Sequence, residues 1–267
     1  MKRPITIVEQ GGTQKLNLPN ELYSHVITHA YLYLQPSGWF SEYPCDEEGA
    51  TPWYTFPAIQ FLKDILNPTA KVLEYGSGYS TLFFKNKVEK LVTVEHNIDW
   101  ANKLLAQNPT LDIRLMSENA SIHADAQSTY DNFVDNLIQI RTDLIEHDYK
   151  HGLVNDEFGG YCSVIYEAPE QYYDMVVIDG MARHLCAIMT VESKRLKDNG
   201  VIILDNSDRW MYNPIQQYLH DNGFGRLDFW GPGWNNHSAW CTSFYSRKFA
   251  INNNRLLRPE TDSPITV

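Results

Sequence analysis

Four acidic side chains stand where short apolar runs end, and two glycines follow the first of them. Glu74 precedes Gly76-Ser77-Gly78, Glu95 closes the run 90–95, Asp179 with Gly180 closes 173–179, and Asp205 with Asn206 closes 200–205. Glycines at this spacing let a backbone approach a ligand closely. A carboxylate such as Glu95 can accept two ribose hydroxyls at once. Asp179 and Asp205 are residues of the kind that take a proton from a reacting hydroxyl. His184, one turn beyond Asp179 and next to Arg183, is a further candidate base, as are His96 and His237. For each of these the competing role is structural: the aspartates can cap or orient the loops that follow them, and the histidines can be hydrogen-bonded scaffold.

In an open α/β sheet ligands sit beyond the carboxyl ends of the strands, so these positions are where a ligand is sought. The dinucleotide fingerprint G-x-G-x-x-G requires Gly or Ala where this chain has Thr81. A pyrophosphate on the following helix N-terminus would also meet Glu74, two residues before Gly76, and be repelled. S-adenosylmethionine carries no phosphate, and its ammonium and sulfonium groups are attracted by an acid at that point.

Over about residues 70 to 246 the chain resembles the class I S-adenosylmethionine-dependent methyltransferases, with Glu74-Tyr75-Gly76-Ser77-Gly78-Tyr79-Ser80 as the E/D-x-G-x-G loop, Glu95 as the ribose acid, Asp179-Gly180 and Asp205-Asn206. The resemblance implies S-adenosylmethionine as cofactor. It places Glu74, Tyr75, Gly76, Ser77, Gly78 and Ser80 at the methionine part, Glu95 and His96 at the ribose or adenine edge, and Met116 and Ser117 beside the adenine; Asp179 and Gly180 are counted with the cofactor site. Asp179, Asp205 and His184 are the expected catalytic residues. Asp179 with Asp205-Asn206 also resembles the three oxygen ligands of catechol-type magnesium-dependent enzymes, but the lysine expected three residues after the first Asp is Ala182 here. No metal ligand is therefore assigned, and a divalent cation such as magnesium stays an open option.

These residues must be positioned by an α/β, Rossmann-like, doubly wound and mostly parallel seven-stranded sheet ending in an antiparallel hairpin. Alternating short apolar runs and helical segments carry that reading: strands at 70–75, 90–95, 111–116, 173–179 and 200–205, helices from 80, at 98–107, 183–196 and 214–221, and final strands at 224–230 and 239–246. Before the sheet, 1–20 reads as an irregular arm, 21–34 as an amphipathic helix and 56–66 as a second helix, giving an N-terminal helical and aromatic cap over 1–68. Pro52-Trp53-Tyr54-Thr55-Phe56-Pro57 reads either as a cover on the core or as an aromatic wall of the acceptor pocket. The methyltransferase-like domain spans 69–250, with a helical insertion at about 117–172 whose apolar positions from Tyr130 to Ile145 follow a helical period. The insertion is a packing or subunit contact, which leaves a homo-oligomer open, or a lid. Residues 251–267 form a tail, expected to be poorly ordered.

A formal charge of −11 argues against nucleic acid and anionic membrane as partners. Cys45, Cys162, Cys186 and Cys241 form no C-x-x-C pair and read as buried thiols of a reducing compartment. No signal-peptide core opens the sequence and no run approaches the roughly 18 apolar residues of a membrane span, so a cytoplasmic protein is expected. The expected function is methyl transfer to a small-molecule or sugar-like acceptor, at oxygen rather than nitrogen, since Asp179 and Asp205 are possible bases and the Asn-Pro-Pro-Tyr-type motif that amino-directed members of the resembled family often carry does not follow 173–179. The alternatives are an NAD-dependent oxidoreductase, disfavoured by Glu74 and Thr81, and a non-catalytic binding module.

Overall fold

The computed structural model describes residues 2–9, 12–19, 45–46, 49–144, 156–234 and 236–249. Its centre is a seven-stranded sheet. In chain order β1 (Lys2–Glu9) and β2 (Gly12–Pro19) form a separate hairpin, β3 (Cys45–Asp46) and β4 (Gly49–Ala50) a second small one, and α1 (Phe56–Ile65) leads to the first sheet strand, β5 (Lys71–Tyr75). Then follow α2 (Tyr79–Lys85), β6 (Lys90–Glu95), α3 (Ile98–Gln107), β7 (Ile113–Leu115), α4 (Gln127–Leu144), α5 (Gly159–Ser163), β8 (Tyr173–Ile178), α6 (Arg183–Glu192), β9 (Leu196–Leu204), α7 (Asn213–Asp221), β10 (Gly225–Gly233) and β11 (Asn236–Ser246).

The sheet order is β10-β11-β9-β8-β5-β6-β7. β5 runs parallel to β6 and β8, β7 parallel to β6 and β9 parallel to β8, whereas β11 is antiparallel to both β9 and β10. The doubly wound, mostly parallel sheet with a terminal hairpin is thus present. The classic dinucleotide fold places its sixth strand directly beside the fifth; here the last strand is inserted between them.

The centre of the sheet is parallel because its strands are apolar on both faces. Along β5 and β8, Leu73, Tyr75, Val176 and Ile178 face a core with Tyr161 and Leu185, while Val72, Met175 and Val177 face another with Tyr54, Phe56, Leu62, Phe83 and Phe84. Alternation along the strand therefore puts Glu74, in phase with Val72, under α1 and α2. Local signals start the helices: Pro57 lies in the first turn of α1, and the Asn97 side chain accepts from Trp100 N at 3.0 Å at the start of α3.

Some boundaries differ from those expected. Within the expected irregular arm, residues 2–9 and 12–19 are strands: β1 and β2 pair antiparallel from Lys2↔Pro19 to Glu9↔Gly12. The β-branched run Ile5-Thr6-Ile7-Val8 favours a strand, but its partner is too polar to show a period. β9 starts at Leu196, not 200, because Leu196 is buried and pairs with Tyr173 while the next three residues are mostly outside the core. α6 accordingly stops at Glu192. Helix α4 begins at Gln127, ahead of its first apolar position. The helix at 21–34, the end of the insertion helix at 145 and the tail from 251 fall outside the described residues.

The aromatic stretch lies across the site end of the sheet. Thr55 bridges Gly233, its N–H donates to Thr242 Oγ1 at 3.2 Å and its hydroxyl to the Phe229 carbonyl at 2.9 Å. Tyr54 and Phe56 are buried by that anchoring, and Trp53 remains 38% exposed, stacked on Tyr79. Cys162, Cys186 and Cys241 are free, buried thiols. Among the described residues no helix is long and apolar enough to cross a membrane.

Candidate functional site

The loop after β5 is held from below by Glu74. Its carboxylate is fully buried and accepts from Ser80 Oγ, from Thr81 Oγ1 at 2.7 Å and from Thr93 Oγ1 at 2.9 Å. Burial pushes this carboxyl up to about 7, against the three hydroxyls that hold it down. Thr81, the residue that breaks the dinucleotide fingerprint, is thus a hydrogen-bond donor to Glu74 and also accepts from Gly78 N at 2.8 Å. Tyr75 lies on the other face, its hydroxyl bonded to the Cys162 carbonyl at 2.7 Å.

The glycines of the loop do different jobs. Gly76 has φ +93°, and a Cβ there would lie 2.7 Å from Gly180 Cα. A Cβ at Gly180 would meet the Tyr161 hydroxyl at 2.2 Å and Gly76 N at 2.7 Å. These two glycines let the β5 and β8 loops cross. At Gly78 the nearest atom to an added Cβ is Ser80 Oγ at 3.8 Å, so this backbone is open to a ligand.

At the end of β6, Glu95 is buried and turns back to the same loop. Its Oε2 accepts from Ser77 N at 2.9 Å and Ser77 Oγ at 2.7 Å, and its Oε1 from His96 N and Asn97 N, each at 2.8 Å. The His96 ring stands 2.9 Å from Oε1 and edge-on to Phe158. Trp100 Nε1 donates to the Ser77 carbonyl at 2.7 Å, completing a rigid link between the two strand ends. Met116 N donates to the Glu95 carbonyl at 2.8 Å, and Ser117 beyond it is exposed. A hollow of about 400 Å³ opens further along that edge, lined by Asn119, Ala120, Ile122, Tyr130 and Gly159; it does not reach Gly76–Gly78.

Asp179 and Asp205, at the ends of neighbouring strands β8 and β9, are joined by Arg183. Its Nη2 donates to Asp179 Oδ1 at 2.9 Å, Nη1 to the Asp205 carbonyl at 2.6 Å and Nε to the Gly180 carbonyl at 3.1 Å, and the guanidinium covers the Tyr212 ring. One helical turn from Asp179 is the separation that lets the side chain reach back. Asp205 is buried and takes two donors on Oδ1, Trp240 Nε1 at 3.1 Å and Thr242 Oγ1. Burial first, and then the charge of Asp179, push its carboxyl up to about 7. Asp179 is also raised by burial, while Arg183 and Arg209 pull it down. The loops after both strands contain left-handed non-glycine residues, Ala182 at φ 46° and Asn206 at φ 52°. His184 is buried one position further along α6, its ring 6.1 Å from that of Tyr212.

Two tyrosines complete this end of the sheet from opposite cores. Tyr54 is fully buried, and its hydroxyl makes no hydrogen bond with the described residues; burial first, and then the charges of Asp179, Glu74 and Asp205, raise its pKa. Tyr161, on the other side, carries a second buried hydroxyl without a hydrogen-bond partner among the described residues, beside Gly180. Neither tyrosine is marked by a spacing in the sequence. Tyr54 falls within the aromatic stretch already noted, while Tyr161 falls in the insertion, where no pattern points to it.

The donor set separates the two candidate guests. Arg183 already supplies the positive charge that a hard cation would bring to Asp179, and among the described residues no group of three or more His, Cys, Asp or Glu is arranged to hold a metal ion. A second cation between Asp179 and Asp205 would be set against that guanidinium, so these residues offer it a poor place. A small ligand would meet open backbone at Gly78, the Glu95 carboxylate behind the Ser77 hydroxyl, and buried hydroxyls of Tyr54 and Tyr161 that have no hydrogen-bond partner among the described residues.

No protein-family model and no curated protein matches the chain. Among solved structures, a methyltransferase-like protein from Silicibacter pomeroyi is similar at 19% identity, over 73% of this chain and 88% of that one, with a TM-score of 0.44. A precorrin-6y methyltransferase from Geobacter metallireducens is similar at 14% identity, over 77% and 100%, with a TM-score of 0.43. An rRNA methylase from Streptococcus thermophilus follows at 10% identity, over 70% and 90%, with a TM-score of 0.38. Likenesses this distant carry no weight of their own: the strand order and register define the chain as a Rossmann-like seven-stranded α/β fold with a terminal antiparallel hairpin.

Proposed function

We propose that the chain is an S-adenosylmethionine-dependent methyltransferase acting at oxygen on a small-molecule or sugar-like acceptor. The observation that carries this reading is the buried carboxylate of Glu74 directly beneath the first loop, tied to the start of α2 by Ser80 and Thr81. A pyrophosphate at that helix start would lie against a buried acid; a phosphate-free, cationic cofactor would be attracted by it.

When bound, S-adenosylmethionine supplies an activated methyl group. The residues that would hold it are the loop Gly76–Ser80, Glu95 with His96, and Met116 with Ser117 beyond the end of β7. For Glu95 to take ribose hydroxyls, the Ser77 hydroxyl must give up its bond to Oε2, which needs only a side-chain rotation because Ser77 N keeps its own bond. Asp205 is the residue best suited to receive the acceptor's proton: Trp240 and Thr242 both hold Oδ1, which leaves Oδ2 for the proton, and a carboxyl raised to about 7 is a base matched to neutral pH. Arg183 holds Asp179 and the Asp205 backbone in register, so it positions the pair. Holding the acceptor in line is the rest of the task.

Calorimetry with S-adenosylmethionine, S-adenosylhomocysteine and NAD tests the reading. Binding of the first two without NAD is expected; tight NAD binding with none of the others would replace it by an oxidoreductase. Cofactor binding with no S-adenosylhomocysteine formed across a broad panel of alcohols, phenols and sugars would favour a non-catalytic module.

A further inference from the structure

Tyr54 presents a chemical problem that the proposed reaction does not use. Its hydroxyl is fully buried and makes no hydrogen bond with the described residues. A buried hydroxyl without a partner costs about 1–3 kcal/mol. Ser80 Oγ lies close enough to influence its proton, but not in hydrogen-bond geometry, and Ser80 gives its own proton to Glu74. The segment is not loose: Thr55 is fixed through Thr242 and Phe229, and the Tyr54 carbonyl packs against Gly233.

The groups around that hydroxyl define what would satisfy it. Asp179, Glu74 and Asp205 all lie within its electrostatic reach; among the described residues Arg183, which is spent on Asp179 and two carbonyls, and the exposed Arg209 are the cations that act on Asp179. A neutral guest would leave these carboxyls without further compensation, and an anion would be repelled. An ammonium group donates up to three hydrogen bonds, so it can serve the phenol oxygen and carboxylates together.

Resting on the cofactor reading above, we propose that Tyr54 is a positioning residue whose hydroxyl oxygen accepts a hydrogen bond from the α-ammonium group of the cofactor's amino-acid end. The acids supply attraction and Tyr54 supplies direction. The chain segment before β5 thereby becomes part of the cofactor site through one atom.

Two probes isolate the amino-acid end. S-adenosylhomocysteine carries it; 5′-methylthioadenosine shares the adenosine and thioether but lacks it. By calorimetry on the full chain at pH 8, the wild type is expected to prefer S-adenosylhomocysteine. Tyr54→Phe is expected to weaken S-adenosylhomocysteine about 10-fold, the loss of one hydrogen bond to a charged group, and to leave 5′-methylthioadenosine unchanged. The melting temperature of ligand-free Tyr54→Phe is expected to equal or exceed that of wild type, because an unpaired hydroxyl is removed. Unchanged S-adenosylhomocysteine affinity, an equal loss for both probes, or a lower ligand-free melting temperature would each overturn the inference while leaving the cofactor reading intact. Failure of the wild type to bind either probe would end the cofactor reading itself, and this inference with it.

Discussion

Arg183 reaches Asp179 at 2.9 Å across one turn of α6 and, with its other terminal nitrogen, the carbonyl of Asp205 at 2.6 Å. One side chain therefore spans the ends of β8 and β9, beyond the last ladder pair Ile178↔Leu204. Arg183→Met is expected to destabilise the protein by about 2–4 kcal/mol, since it strands a largely buried carboxylate and two carbonyls. Arg183→Lys should cost less but not nothing, because an ammonium cannot reproduce three directed bonds. Urea unfolding measures both, and an unchanged midpoint for the Met variant would refute the role.

Stability should fall as pH rises toward neutrality. Glu74 and Asp205 each have a folded-state pKa of about 7, raised from ordinary values of 4.5 and 3.8 mainly by burial. The folded state then holds protons that the unfolded state has released, so their contribution is full below the ordinary carboxylate range and is lost as pH rises through about 7. Thermal melts of the ligand-free protein across this window should show a decline, flattened in Glu74→Gln and in Asp205→Asn. A melting temperature that climbs from acid to neutral pH would contradict the burial of these carboxyls.

The two glycines of the loop should respond oppositely to alanine. Gly76→Ala and Gly180→Ala force a Cβ into the backbone crossing, 2.7 Å from Gly180 Cα and from Gly76 N respectively, and should destabilise the fold by several kcal/mol, on the order of other steric insertions. Gly78→Ala meets nothing closer than 3.8 Å and should melt like wild type while binding S-adenosylmethionine less well. Equal melting temperatures for all three variants would show that the crossing is not tight.

Cofactor binding and turnover should separate by strand. Glu95→Gln is expected to weaken S-adenosylmethionine binding about 10-fold, because an amide cannot accept from every donor that now surrounds the carboxylate. Asp205→Asn should keep cofactor affinity within about 2-fold and abolish formation of S-adenosylhomocysteine. Equal cofactor affinity in wild type and Glu95→Gln would remove Glu95 from the ribose.

Much of this was legible in the chain because parallel strands buried on both faces must be short apolar runs, and their ends mark where ligands bind. Glu74, Glu95, Asp179 and Asp205 are found that way, as are the glycines between the first two. What the residue types could not convey is which atoms are already engaged. Thr81 reads as a missing glycine and proves to be a donor to Glu74; Glu95 reads as an open acceptor and is held by four donors of its own neighbourhood.

By itself, the sequence determined the order of the seven strands of the central sheet and the four acidic strand ends, since local propensity and burial act on neighbouring residues. Only the tertiary structure decided that Arg183 bridges two strand ends, that Trp240 and Thr242 hold Asp205 from the last strand, and that Tyr54 enters the acid cluster from a segment before the sheet. Those contacts join residues far apart in the chain, and their geometry exists once the sheet has closed and excluded water from between them.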